Sequence, residues 1–169
     1  MEMELRSGDG TLKEQRTIQE VGGVSVNQQA GDNVLIEVFD EFGNLKDSRS
    51  IHNAVTALGK EGIMDQLLAS PSVAKIGWCE LGTGTGGTTL LNAYISGSRT
   101  AFTTKTRSGA VVTTVTDFAA GTGTGAITEA GLFNVVTQNT AEMHLYSSFT
   151  AINKGASDTL KITWTITGA

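Results

Sequence analysis

The sequence predicts a mainly β protein: an antiparallel sandwich or barrel of jelly-roll or immunoglobulin-like type, with one short helix and an extended N-terminal arm. Three observations carry this expectation. The C-terminal half consists of Thr-rich stretches with β-branched residues at every second position, which suits a pleated, half-buried surface. Gly/Thr loops separate those stretches, and their regular spacing argues against a parallel α/β fold. Across the chain, 21 glycines stand against one proline and only 17% of residues are charged, the balance of a turn-rich β protein with polar, uncharged faces.

With 169 residues the chain fits a single domain, which at this size buries about 70% of the surface that the unfolded chain exposes. The expected division is an arm over residues 1–33 and a β domain over 34–169. In the arm, Gly8, Gly10, Gly22, Gly23 and Gly31 punctuate polar residues, and Ile18, Val21, Val24 and Val26 offer the apolar contacts.

The first strand is Val34 to Phe39. Asp40-Glu41-Phe42-Gly43-Asn44 has the chemistry of a tight reversal, and Leu45 to Ile51 returns as the second strand of a hairpin. Asn53 is placed to cap a helix in which Ala54, Ala57, Leu58, Met64 and Leu68 share a face, until Ser70-Pro71 stops it. Gly59 and Gly62 weaken that helix by about 1 kcal/mol each relative to alanine, so it needs a sheet to pack against. Period two resumes at Ala74 and runs to Cys79. Arg99 to Arg107 and Ala110 to Phe118 meet at the hairpin signal Ser108-Gly109. Ile127 to Val136, Glu142 to Ile152 and Thr159 to Thr167 complete the strands.

The formal net charge is −5 with basic residues scattered singly, so the expectation is no nucleic-acid partner. No run of about 18 apolar residues appears and the acidic start lacks an apolar stretch, so the expectation is no membrane span and no signal peptide. Cys79 is the single cysteine, which excludes an intramolecular disulfide and a multi-cysteine metal site.

Candidate sites each have a plain structural reading. Gly82-x-Gly84-x-x-Gly87 has the spacing of a dinucleotide fingerprint, but no clean helix follows and the ribose-binding acid expected about 20 residues on is missing; a strand connection is the stronger reading. His52 and His144 are the two imidazoles, read as surface or sheet-face residues rather than members of a metal site or triad. Glu129 lies in a run of small and apolar residues. It reads as an acid in a pocket, a partner for Lys154 or Arg99, or a solvated edge-strand charge, with the structural readings ahead of catalysis. Trp78 and Trp164 read as core anchors, and the uncharged Thr-rich faces favour subunit contacts. The expectation is therefore a non-enzyme, with no catalytic, cofactor-binding or metal-binding residues assigned and no cofactor.

The blocks Asp47-Ser48-Arg49-Ser50-Ile51-His52-Asn53-Ala54-Val55, Glu80 to Thr85, Gly121 to Asn134 and Ile152 to Thr165 resemble a family of small tailed-bacteriophage virion proteins, over about residues 34 to 167. The resemblance implies a structural component of the particle, made in the host bacterial cytoplasm. Two stations are open: a capsid decoration (cement) protein, forming a homo-oligomer with a trimer favoured and bridging the major capsid protein or other virion proteins with its arm, or a tail or neck component serving as a ring or fibre adaptor. The absence of heptads and of a repetitive shaft favours decoration. A host-glycan-binding module, using Tyr94, Tyr146 or a tryptophan as a stacking platform, ranks third.

Overall fold

The computed structural model describes residues 33–168; residues 1–32 of the expected N-terminal arm lie outside the described residues, and its last residue, Asn33, opens the first strand. Among the described residues ten strands and one helix follow in the order β1 (Asn33–Phe39), β2 (Leu45–Ile51), β3 (Ala54–Val55), α1 (Ala57–Asp65), β4 (Trp78–Gly82), β5 (Thr100–Ala101), β6 (Thr104–Ser108), β7 (Val111–Phe118), β8 (Gly125–Phe133), β9 (Met143–Lys154) and β10 (Thr159–Thr167). They form two antiparallel five-stranded sheets. The first has the order β2-β1-β10-β7-β6 and the second β3-β9-β8-β4-β5.

Register shows how the sequence alternation becomes a core. Across the first sheet, Val34, Trp164 and Thr114 stand in one row, Ile36, Ile162 and Thr116 in the next, and Val38, Leu160 and Phe118 in the third. All nine side chains are buried. Facing them, the second sheet contributes Cys79 and Leu81 from β4, Ile127, Ala130 and Leu132 from β8, and Leu145 and Ile152 from β9, so one apolar cluster joins both inner faces. This is a sandwich, as the alternation predicts. Burial pushes the Cys79 thiol up to about 12, with Trp164 and Thr116 beside it offsetting part of the shift. Among the described residues no helix is long and apolar enough to cross a membrane.

Several elements depart from their predicted bounds. The strand expected from Arg99 to Arg107 is broken, because β5 belongs to the second sheet and β6 to the first. Phe102 sits at the crossing, packed against the core, and its N–H reaches the Gly77 carbonyl at 3.0 Å. Changing sheets at a corner leaves the side-chain alternation almost undisturbed, so composition does not reveal it. The strand predicted from Ala74 starts only at Trp78 and runs on to Gly82.

The helix cap also moves. Ala54 and Val55 are drawn into a bridge with Tyr146 and Leu145, so the helix begins after them. Thr56, not Asn53, is the N-cap: its hydroxyl accepts from the Gly59 N–H at 3.0 Å. The face turned to the sheet is also not the predicted one. Gly59 and Gly62 are buried, whereas Met64 and Leu68 are exposed. A Cβ on Gly59 would fall 2.1 Å from the His144 carbonyl oxygen, so glycine here permits a backbone-to-backbone approach and the helix does need its sheet. Ile162→Ala, at the centre of the buried rows, is expected to cost about 2–5 kcal/mol of unfolding free energy in denaturant titration.

Candidate functional site

The second sheet has an unusual outer face. Glu80 on β4 and Glu129 on β8 point away from the sandwich core, yet they are 1% and 0% exposed. Two covering segments, residues 83–99 and 134–142, account for this. A small second cluster of Leu91, Phe133 and Met143, flanked by Trp78 and Tyr146, fills the space beneath them.

Each carboxylate holds one part of this cover. Glu129 Oε1 accepts from the N–H groups of Ala93 (2.8 Å) and Gly84 (3.2 Å), and Oε2 accepts from the Asn92 N–H (3.3 Å) and the Tyr146 hydroxyl (3.2 Å). The Tyr146 oxygen in turn accepts from the Gly86 N–H at 2.6 Å. A loop folded around a buried anion must bring its backbone close. A Cβ on Gly82 would lie 2.6 Å from Glu129 Oε1, and one on Gly84 2.8 Å from the Ala93 nitrogen. Gly82 and Gly84 of the fingerprint-like spacing thus serve an internal carboxylate.

Glu80 is held differently. Arg99 Nη2 donates to its Oε2 at 2.6 Å, Arg99 Nη1 donates to the Val135 and Thr137 carbonyls, and the guanidinium lies 3.5 Å from the centroid of Phe133. Gln138 donates from Nε2 to Glu80 Oε1 and to the Ile95 carbonyl, and accepts from the Gly97 N–H at 2.7 Å. The ion pair therefore ties both covering segments to β4.

Glu129 is thus a buried residue on an interior strand, bonded to neither Lys154 nor Arg99, so the solvated-edge and ion-pair readings are both corrected. Lys154 is itself buried and donates to the Ala119 carbonyl at 3.1 Å, its pKa lowered by desolvation against the pull of Asp158. Trp164 is a core anchor; Trp78 is half-buried against the second cluster. Tyr146 is engaged with Glu129, while Tyr94 is 39% exposed. The two imidazoles are not brought into one cluster. His52 is exposed just after β2, whereas His144 is buried beneath α1, and among the described residues no group of three His, Cys, Asp or Glu side chains could hold a metal.

The surface that remains to be explained lies around α1. At its C-terminal end Ile63, Met64, Leu67 and Leu68 are 54–79% exposed, four large apolar side chains within six residues. The turn is held in place by Asp65, whose carboxylate accepts from the Val73 N–H (2.8 Å) and the Ser72 hydroxyl (2.9 Å). Beside it a cleft of about 540 Å³ opens between α1, residues 73–76 and the β6–β7 end of the first sheet, with His144 in its lining. Sequence reasoning assigned Met64 and Leu68 to a buried face and so missed this surface; the crowding of Leu67 and Leu68 against Ser70-Pro71 was the available signal.

Comparison with protein-family models, with curated proteins and with solved structures found no match for this chain.

Two predictions follow from the buried polar groups. Arg99→Met leaves Glu80 as an uncompensated buried charge and is expected to cost about 3–5 kcal/mol in chemical denaturation, with Glu80→Gln combined with it recovering part of the loss. His144 is held below the ordinary value of 6.5, chiefly by burial, with Glu142 and the Leu58 carbonyl pulling the other way. As pH falls through about 6.5 the unfolded chain takes up a proton that the folded chain refuses, so this residue's contribution to stability declines down to its folded-state pKa. Stability measured between about pH 7 and pH 5 is expected to fall less steeply in His144→Gln than in the parent chain.

Proposed function

We propose that this chain is a structural component of a tailed-bacteriophage particle, acting as a capsid decoration protein that binds the major capsid protein lattice as a homo-oligomer, with a trimer favoured. The observation that carries the docking part is the exposed apolar cluster of Ile63, Met64, Leu67 and Leu68. An apolar surface of this kind, concentrated at one end of a domain, fits burial against a partner better than contact with water. The particle reading rests on the resemblance of the 47–55, 80–85, 121–134 and 152–165 blocks to small virion proteins.

The fold suits that task. Its chemically active groups serve structure: Glu80, Arg99 and Glu129 are committed to holding the covering segments. Phe42 and Leu45 at the β1–β2 reversal, 81% and 55% exposed, offer a second apolar contact. Two separate apolar points on a rigid sandwich are what a protein bridging neighbouring subunits requires.

Quantitative mass spectrometry of purified particles is expected to find this chain in copy number comparable with the major shell protein. A count matching a few symmetric rings would move it to the neck or tail, and its absence would remove the particle reading. Leu67→Asp with Leu68→Asp, which alters exposed positions only, is expected to release the protein from particles while leaving its unfolding transition unchanged.

A further inference from the structure

The cleft beside α1 has a chemistry of its own. Its walls are Ile63, Val73, Ala74, Ile76 and Val112, a mostly apolar lining in a volume within the range of small-molecule sites. Among the described residues the charged side chains of the lining are Lys75 and Arg107, and no carboxylate contributes to it. Both side chains belong to exposed residues, and among the described residues neither forms an ion pair. Arg107 Nη1 donates to the Gly109 carbonyl at 2.7 Å, which leaves the rest of its guanidinium for another acceptor. In the same lining, His144 is 2% exposed and its Nε2 has no hydrogen-bond partner among the described residues.

An apolar slot whose described lining carries two cations and no anion selects an occupant of matching character. We propose that this cleft binds a single-chain aliphatic carboxylate, its chain lying along Ile63, Val73, Ile76 and Val112 and its carboxylate meeting Lys75 and Arg107. An aliphatic cation is repelled by both basic groups, and an aliphatic alcohol keeps only the burial of its chain. The cleft sits next to the exposed α1 cluster, so a bound chain also shields part of Ile63, which is otherwise 54% exposed. The proposal stands independently of any role in a particle.

Calorimetric titration of the full chain with decanoate, kept below its micelle concentration, tests this. Saturable one-to-one binding is expected, with decanol weaker and decylamine weaker still. Lys75→Glu combined with Arg107→Glu is expected to reduce decanoate affinity about tenfold or more, since two favourable charge contacts become repulsive. Ala74→Trp, an exposed position whose enlarged side chain plugs the opening, is expected to abolish binding; near-ultraviolet circular dichroism shows that each variant keeps its fold. Equal binding of decanoate and decylamine, unchanged affinity in both variants, or no saturable heat would each overturn the assignment. Sedimentation with phosphatidylglycerol vesicles separates a free acid from a lipid surface: capture by vesicles without decanoate binding would also overturn it.

Discussion

Two carboxylates on the outer face of one sheet must be neutralised or solvated internally, and much of the second half of the fold follows from that requirement. Burying an ionised carboxylate without partners costs several kcal/mol even after relaxation. Glu129 meets the cost with backbone N–H groups and a tyrosine hydroxyl, and Glu80 with a guanidinium and an amide. Such charge-assisted bonds are directional, so they specify where the covering segments lie. The outer face of the second sheet is thereby converted into a second packed layer, with Leu91, Phe133 and Met143 sealed beneath the cover.

This arrangement explains why the chain has loops that look like ligand sites and behave as structural parts. Glycines that approach an anion through their backbone are chemically alike whether the anion is a bound phosphate or a side chain of the same protein. In this chain the anion is Glu129, which stands opposite Gly82 on the neighbouring strand. The same logic governs α1. Gly59 brings the helix against the β9 backbone and Gly62 brings it against the His144 ring, which turns its larger apolar residues toward solvent and opens the cleft at its side. The surface available for partners is therefore a consequence of how the helix is seated.

Much of the fold was legible because strand alternation is a local property. The row Leu160-Ile162-Trp164 is visible as period two in the sequence, Val34 to Phe39 stands out as an apolar, β-branched run, and the first hairpin is written in Asp40 and Gly43. The candidate site was less legible. Glu129 stood out as a charge among small residues, but its partners Ala93, Asn92 and Gly84 lie 36 to 45 residues away and contribute backbone, which carries no side-chain signal. The Arg99–Glu80 pair is equally hidden, since a charge pair 19 residues apart looks like two solvated residues until a sheet and its cover bring them together.

By itself the sequence determined the mainly β class and most strand positions, because each depends on alternation and turn chemistry within a few residues. Tertiary structure alone decided that the 100–108 stretch changes sheets, that Thr56 caps the helix, that Met64 and Leu68 face outward, and that two carboxylates are buried. Those outcomes depend on which surfaces remain uncovered once the two sheets have packed. That competition for burial is settled among residues far apart in the chain, so local alternation and capping chemistry do not fix its result.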